Sequence, residues 1–292
     1  MRSIKLESPS LNKDWSMQFM DESNYDLLLD EDTIVYKPGG EPLLILLKKA
    51  IEPQIAANAW KEIKTINGGN KNRSTAIGIE SSPYQKADGT KSSQMLVPKN
   101  WQVVSDVIGY MDRSARLPYA RSCAWNAKHP ERFDHIIPML QGTSKLFQKY
   151  VPDRFQNQQD FCKITDPAWV IPGTVYTTVT VNKNFRTAAH KDAGDLREGF
   201  SNMIVIKEGA SVGGHLVLPD WRIAVKLDSL DFVMFDAHEF HGNTQILRLS
   251  PKSVRCSLVL YFRERLQLCK DPHTELMRAK NKKPGEPLYD KE

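Results

Sequence analysis

The stretch from residue 174 to residue 262 constrains the fold of this 292-residue chain more than any other. Short runs rich in β-branched and aromatic residues are separated there by turn signals such as Gly213-Gly214, Pro219-Asp220 and Asp228-Ser229. Runs of this length, bounded in this way, are typical of strands. The predicted strands are Thr174–Val181, Met203–Ile206, His215–Leu218, Arg222–Leu227, Phe232–Phe235 and Val254–Phe262. They suffice for most of a small antiparallel barrel.

The last predicted strand, Val254–Phe262, has one polar and one apolar face. Side chains alternate across a strand, so Arg255 and Ser257 share a face with Val259 and Tyr261, while the other face is apolar throughout. A buried guanidinium without a partner is very costly. If the polar face points into a barrel, a dicarboxylic co-substrate would satisfy Arg255 through two parallel hydrogen bonds.

A His-X-Asp motif and a later histidine predict a metal site. His190 and Asp192, with one distant histidine, form the ligand set of the two-histidine, one-carboxylate triad that binds Fe(II) on one face of its octahedron. His238 and His241 both qualify as the third ligand. We favour His241, because Asp231–Asp236 is predicted as a strand and the chain can turn back at His241. The spacing therefore indicates an oxygenase.

Asp195 is an alternative to Asp192 as the carboxylate ligand. Only a carboxylate two residues from His190 projects to the same side of an extended segment, which favours Asp192. Asp195 is then expected to cap a turn beside Gly194.

The sequence around these residues resembles a known family. The segments are NKNFRTAAHKDAGDLREGF (182–200), GGHLVLP (213–219), the segment from Asp231 to Thr244 that ends in DAHEFHGNT, and RSCAWNAKHP (121–130). Together they are similar to the TET/J-binding-protein oxygenases, and more closely to the J-binding-protein branch. The resemblance covers roughly residues 110 to 265.

The resemblance implies a fold, cofactors and a reaction. The expected fold is mainly β with flanking helices, namely a double-stranded β-helix of the jelly-roll or cupin-like type, buttressed by N-terminal helices. The expected enzyme is a dioxygenase that uses Fe(II), 2-oxoglutarate and O₂ to hydroxylate the 5-methyl group of a pyrimidine in DNA. In the J-binding branch the base is thymine and the product is 5-hydroxymethyluracil. In the TET branch it is 5-methylcytosine.

By position, the resemblance makes His190, Asp192 and His241 the iron ligands, with Arg255 binding the far carboxylate of 2-oxoglutarate and Ser257 supporting it. Arg186, four residues before His190, is a candidate for the 1-carboxylate. The chain is much shorter than full-length J-binding proteins and lacks room for their domain that recognises the glucosylated base. Binding of that base is therefore not predicted.

DNA is the expected partner, because an enzyme acting on a base must extrude the nucleotide and hold its phosphates. Net charge is only +5, but residues 251–283 carry nine Lys/Arg against three Asp/Glu, and residues 112–154 carry eight against four. Such segments can follow a phosphate backbone. The candidate contacts are Arg113, Arg116 and Arg121 for phosphates or stacking, and Asn126 and His129 for a base edge.

The rest of the chain predicts flanking helices. Leu43–Ile66 has a helical apolar period divided or kinked at Pro53, and Trp101–Met111 and Pro138–Tyr150 are further candidates. Residues 68–93 predict a long mobile loop. The expected division is an N-terminal helical and loop buttress (1–110) that belongs to the same domain, an oxygenase core (111–270) and a basic flexible tail (271–292).

Composition excludes several other classes. No stretch of eighteen apolar residues is present, the start MRSIKLESPS lacks a secretory apolar segment, and the four cysteines show no CxxC spacing. We therefore expect an intracellular protein, cytoplasmic or nuclear, with no membrane association. The sequence leaves the oligomeric state open.

Several alternatives stay open. The same fold could oxidise 5-methylcytosine in DNA, a free nucleoside, an amino acid or a protein side chain. A non-catalytic barrel that only binds DNA is another alternative, and a hydrolase could use zinc on the same ligands, because imidazole and carboxylate also bind that metal.

Overall fold

Two β-sheets face each other, and helices cover the outer side of the larger sheet. The structure, a computed structural model, describes residues 1–10, 13–68, 76, 104–283 and 285–289. Its strands are β1 (Arg2–Lys5), β2 (Leu27–Leu29), β3 (Thr33–Tyr36), β4 (Pro42–Leu47), β5 (Val104–Met111), β6 (Arg121–Ser122), β7 (Thr178–Lys183), β8 (Ser201–Glu208), β9 (Ser211–Gly213), β10 (Leu216–Leu218), β11 (Ile223–Val225), β12 (Phe232–Phe235), β13 (Gly242–Asn243), β14 (Ile246–Arg248) and β15 (Val254–Tyr261). Its α-helices are α1 (Pro53–Ile63), α2 (Ala124–Lys128), α3 (Pro130–Asp134), α4 (Ile137–Tyr150), α5 (Pro152–Ile164) and α6 (Pro272–Asn281).

The large sheet has nine strands in the order β1-β3-β4-β12-β8-β15-β7-β5-β6, and the small sheet has the order β13-β10-β11-β2. All neighbours are antiparallel except β1 with β3 and β2 with β11. A separate ribbon pairs β9 with β14. Two facing antiparallel sheets agree with the predicted double-stranded β-helix.

The alternation of side chains along the central strands separates two hydrophobic cores. In β12, Phe232 and Met234 pack in the core that α1, α4 and α5 cover, while Val233 and Phe235 pack between the two sheets. In β15, the apolar side chains join the helix-covered core. Its polar face, with Arg255 and Ser257, therefore lies on the inner side of the large sheet, as predicted.

Most of the predicted elements between residues 138 and 262 are confirmed. β10, β11, β12 and β15 lie within the predicted runs, and β8 extends the run Met203–Ile206 by two residues at each end. α4 matches the predicted helix Pro138–Tyr150 to within one residue. β7 begins at Thr178, four residues later than predicted. The predicted pattern of strands therefore fixes the core of the fold.

Of the two helix predictions in the N-terminal part, Leu43–Ile66 is right only after Pro53, and Trp101–Met111 is wrong for its described residues. Residues 43–47 form part of β4, and Pro53 begins α1 instead of kinking a longer helix, with Glu52 accepting hydrogen bonds from the backbone N–H groups at the helix start. Residues 104–111 form β5 instead of a helix. Both strands pair on both sides within the large sheet, and the resulting burial favours extended structure over the helical period. Residue 110 is the predicted boundary between the N-terminal buttress and the oxygenase core. Strands from both parts therefore share one sheet.

The predicted flexible tail is also wrong for residues 271–283 and 285–289. Asp271 caps α6 by accepting hydrogen bonds from the N–H groups of His273 and Thr274. Glu275 of α6 is fully buried and pairs with Arg113, whose Nε lies 2.9 Å from the Glu275 carboxylate. A helix anchored by a buried ion pair packs as part of the fold. The predicted mobile loop lies almost wholly outside the described residues.

Within the described residues, no helix has the length and the apolar character needed to cross a membrane.

Candidate metal centre and co-substrate cavity

Two histidines from distant parts of the chain lie side by side on paired backbone. The N–H group of His190 donates to the carbonyl oxygen of His241 at 3.0 Å, and the reverse hydrogen bond has the same length. On its other side, the neighbouring Ala189 exchanges backbone hydrogen bonds with Met17 and Gln18. The backbone at His190 is thus held from both sides, which fixes where its ring points.

Asp192 completes the group. One carboxylate oxygen of Asp192 lies 3.4 Å from Nε2 of His190, and the other lies 3.6 Å from Nε2 of His241. One ligand atom from each residue can be chosen so that all three lie within 4.8 Å of one another. The backbone pairing therefore brings the three predicted metal ligands together.

Both imidazoles are oriented by their other nitrogen. Nδ1 of His190 donates to the carbonyl oxygen of Ala188 at 2.8 Å, and Nδ1 of His241 donates to that of Glu239 at 3.0 Å. With Nδ1 protonated, a neutral ring keeps its lone pair on Nε2. Burial and the nearby His190 lower the pKa of His241 to about 4. Two imidazoles whose Nδ1 atoms are held by carbonyl oxygens, together with one carboxylate, fit an Fe(II) ion bound on one face.

The alternative ligands lie apart from this group. The backbone N–H of His238 donates to a carboxylate oxygen of Asp236 at 3.1 Å, and its Nδ1 lies 3.3 Å from the same oxygen. The side-chain hydrogen bond with Asp236 raises the pKa of His238. Asp195 accepts a hydrogen bond of 2.6 Å from the hydroxyl of Ser201, and burial, followed by the charge of Asp192, raises its pKa well above the usual range. Among the described residues, neither belongs to the converging set.

A cavity of about 350 Å³ adjoins the three side chains. It lies against the inner face of the large sheet. Its lining combines apolar groups from both sheets with polar groups at two ends. The apolar part of the lining includes Val107, Met111, Met203, Leu216, Phe235 and Val259. The space is therefore large enough to hold a small organic acid beside a metal ion.

Arg255 forms the first polar end of the cavity. Its side chain is buried, with 4% of the residue exposed, and it donates to the carbonyl oxygen of Gly214 at 2.6 Å. Within the described residues, its Nε has no hydrogen-bond partner, and burial lowers the pKa of Arg255 to about 10. Ser257 lines the cavity two residues further along β15. A buried donor without a partner at this end fits the far carboxylate of 2-oxoglutarate.

Asp195, Tyr261 and Arg263 form the second polar end of the cavity. Asp195 and Arg263 form an isolated antiparallel bridge, and the guanidinium of Arg263 is hydrogen-bonded to the buried carboxylate of Asp112. About a quarter of the Arg263 side chain is exposed (27%). This end of the cavity therefore reaches the surface, and sequence reasoning did not single out Tyr261 or Arg263 for such a role.

Arg186 lies elsewhere, contrary to the prediction. Its guanidinium donates to the carbonyl oxygen of Met20 at 2.8 Å and packs over the ring of Phe19. It is not among the residues that line the cavity. Arg186 is thus bound by the segment before β2, more than 160 positions away in the sequence. A contact of that range cannot be predicted from the local sequence.

Three of the five predicted DNA contacts have structural roles instead. Arg113 is buried in its ion pair with Glu275, and Arg121 donates to the carbonyl oxygens of Asp112 and Tyr119. The buried Asn126 accepts a hydrogen bond from the N–H of Gly109 at 3.1 Å. The polar groups of these three residues are therefore engaged within the protein.

The other two predicted contacts stay predictions. Arg116 is exposed in the turn after β5, and His129 is at the end of α2, with its ring centroid 5.6 Å from that of Trp125.

Lys37 and Glu239 support the site and were missed from the sequence. Lys37, in the turn between β3 and β4, forms salt bridges with Asp236 and Glu239. Trp221 donates to the second carboxylate oxygen of Glu239 at 3.2 Å. Lys37 lies about 200 residues from its partners, so no local signal could have found it.

Residues 108–264 match Tet_JBP, described as the oxygenase domain of the 2OGFeDO superfamily. Oxygenases of this superfamily use Fe(II), 2-oxoglutarate and O₂. The matched range contains the three converging side chains, Arg255 and Ser257, but not Lys37 or α6.

Several curated relatives are similar over much of this chain. A bifunctional helicase and thymine dioxygenase JBP2 of Trypanosoma brucei brucei is 26% identical over 84% of this chain and 21% of its own length. The corresponding protein of Trypanosoma cruzi is 29% identical over 88% and 22%. A thymine dioxygenase JBP1 of Leishmania braziliensis is 32% identical over 49% and 17%. The chain thus spans about a fifth of the length of the curated relatives it matches.

Among solved structures, NgTET1 in complex with 5mC DNA matches with a TM-score of 0.59 over 87% of this chain and 86% of that one. The two sequences are 12% identical. This likeness supports the double-stranded β-helix fold.

Proposed function

The chain belongs to the Tet_JBP family of oxygenases, and we propose that it hydroxylates the 5-methyl group of thymine in DNA to give 5-hydroxymethyluracil. One observation carries the proposal: His190, Asp192 and His241 converge beside a cavity whose far end holds the buried, incompletely paired guanidinium of Arg255. The names of the curated relatives, which are thymine dioxygenases, support thymine as the base.

In this proposal His190, Asp192 and His241 hold the iron, and Arg255 with Ser257 binds the far carboxylate of 2-oxoglutarate. When bound, the iron and its co-substrates supply an oxidation in which one oxygen atom of O₂ enters the methyl group and the other enters succinate, with loss of CO₂. Because Arg255 binds the far carboxylate of 2-oxoglutarate, the protein holds this acid in one orientation. The apolar lining keeps water from the reacting methyl group.

The base must leave the duplex to reach this cavity. Extruding a nucleotide costs a few kcal/mol, which contacts in the pocket and on the phosphates must offset. Thymine presents two carbonyl acceptors and one N–H donor. Arg263 donates hydrogen bonds and a carboxyl oxygen of Asp195 can accept one, so the second polar end suits this pattern. Tyr261 adds an aromatic face beside them.

One reaction tests the proposal. The protein is incubated with iron, ascorbate, 2-oxoglutarate and duplex DNA that contains thymine and 5-methylcytosine, and the DNA is digested to nucleosides for mass spectrometry. We expect 5-hydroxymethyldeoxyuridine, succinate in equal amount, and neither product without O₂. An Asp192→Ala protein should form neither product. If Asp192→Ala turns over like the wild type, Asp192 does not bind the iron.

The other outcomes identify the alternatives. 5-Hydroxymethylcytosine as the main product would show that the base is wrong, and oxidation of free thymidine but not of DNA would show that DNA is not the substrate. DNA binding that survives His190→Ala, with no succinate ever formed, would indicate a non-catalytic barrel. Turnover without O₂ would indicate zinc-type hydrolysis. An enzyme with this substrate acts in a compartment that holds DNA, such as the nucleus.

A further inference from the structure

The rim of the cavity continues into the C-terminal segment. The N–H of Glu264 donates to the carbonyl oxygen of Gly194 at 3.1 Å, and Asp195 pairs with Arg263. Gly194, Asp195 and Arg263 all line the cavity. Residues that follow Arg263 therefore leave directly from the edge of the opening, and most of them lie beyond the range that matches the family.

That segment is held firmly against the loop after β5. The carboxylate of Glu275 accepts hydrogen bonds from the N–H groups of Ala120 and Lys270, both at 2.9 Å, in addition to its ion pair with Arg113. Arg278 donates to the carbonyl oxygens of Pro118 and Leu288. The two basic segments of the sequence, 112–154 and 251–283, thus meet beside the cavity.

Both of these segments carry exposed cations. We call them the C-terminal basic surface; it comprises Arg116, Arg265, Lys270, Lys280 and Lys283. Among the described residues, none of them forms a salt bridge, and Arg265 packs over the ring of Tyr289. Apart from Glu275 in its ion pair, the acidic groups of the described C-terminal segment are Glu264, Asp271 and Glu286, three against the five cations. A net positive surface remains.

We propose that the C-terminal basic surface binds the DNA phosphates that flank the extruded nucleotide. This inference rests on the proposed function. When a base enters the cavity, its own phosphates stay at the opening, where they need cationic partners. In this proposal the cations lie beside the DNA strand that leaves the cavity, because Arg265 follows the rim residue Arg263 by only two positions.

A matched pair of triple variants tests this inference. The first is Arg265→Ala/Lys270→Ala/Lys280→Ala. The control, Lys61→Ala/Lys145→Ala/Lys149→Ala, removes the same charge from exposed positions on α1 and α4, which cover the opposite face of the large sheet. Affinity for a thymine-containing duplex is measured by fluorescence anisotropy at several salt concentrations, without turnover, and thermal unfolding checks that both variants fold.

We expect the first variant to bind DNA roughly tenfold more weakly at low salt, with the slope of log affinity against log salt reduced by about 0.9 for each phosphate that is no longer neutralised. The control should bind like the wild type. Equal binding by both variants, with a wild type that binds DNA, would overturn this inference alone. A wild type that binds no DNA would overturn both this inference and the proposed function.

Discussion

Nδ1 of His241 donates to the backbone carbonyl oxygen of Glu239 at 3.0 Å, while the side chain of Glu239 is bound by Lys37 and Trp221. The orientation of the proposed third ligand is thus set by a turn whose own side chain is tied to the N-terminal part of the chain. Mutation of groups that orient a metal-binding histidine typically costs about 10- to 100-fold in metal affinity or activity.

Lys37→Met should weaken iron binding by about tenfold, because the turn that presents His241 loses its salt bridges to Asp236 and Glu239. Iron titration of the apoprotein measures the effect, and turnover should recover at high iron. Lys48→Met is the control: Lys48 pairs with the buried Asp231 away from the cavity, so its loss should lower the melting temperature without changing iron affinity. Unaltered iron binding by Lys37→Met would show that this turn needs no such support.

Arg255→Lys should raise the 2-oxoglutarate concentration needed for binding by about tenfold or more. Lysine cannot reproduce the two parallel hydrogen bonds of a guanidinium, and a hydrogen bond to a charged group contributes about 1.5 to 3 kcal/mol. Calorimetric titration with iron present and O₂ excluded measures the affinity. The exposed Arg197→Lys serves as the control. Wild-type affinity in Arg255→Lys would place the acid elsewhere.

Gly214→Ala should disturb the end of the cavity that Arg255 forms, without removing a functional group. Gly214 has a φ of +68°, and an added Cβ would lie 2.7 Å from Nε of Arg255. We expect a loss of about 1 to 2 kcal/mol in the free energy of unfolding, together with weaker 2-oxoglutarate binding. Gly142→Ala in α4 meets nothing within 4 Å and should be neutral or stabilising. Chemical denaturation compares the two, and equal stability would contradict the clash.

His215 should make the metal-free protein less stable in mild acid. Burial, and then the charge of Arg255, lowers the pKa of His215. Between that lowered pKa and the unfolded value of about 6.5, the unfolded chain binds more protons, so the free energy of unfolding falls as the pH drops below about 6.5. In His215→Asn this part of the pH dependence should disappear, whereas the exposed His273→Asn should keep it. Melting temperatures from pH 7.5 to 5.5, roughly the range in which histidine titrates, measure the difference. Parallel curves for His215→Asn and the wild type would refute it.

The local period of β15 carried enough information to predict both of its faces. Arg255 and Ser257 face the cavity and Leu258 faces the helices, because alternation is a property of the strand itself. The arrangement of His190, Asp192 and His241 was also predictable, since their spacing reflects ligand chemistry. For these parts, short-range pattern and metal geometry suffice.

The N-terminal strand β4 was mispredicted, because the short apolar run Leu43–Leu47 has no period that separates a strand buried on both faces from a buried helix. The ion pair between Arg113 and Glu275 joins residues 162 positions apart, so no local pattern indicated that this basic residue was occupied. The same holds for Lys37 and its two carboxylate partners. Interactions of this range depend on the assembled fold.

The pairing of β12 with β4 also bears on how this enzyme can be produced in pieces. Phe232 to Phe235 pair with Leu47 to Leu44, and those partners precede the family-matched range by some sixty residues. A polypeptide trimmed to residues 108–264 would lack β4, so the backbone N–H and C=O groups on this edge of β12 would be unpaired within a hydrophobic surface. An unpaired strand edge of this kind favours pairing with another chain, so truncation at that boundary would give an aggregating product.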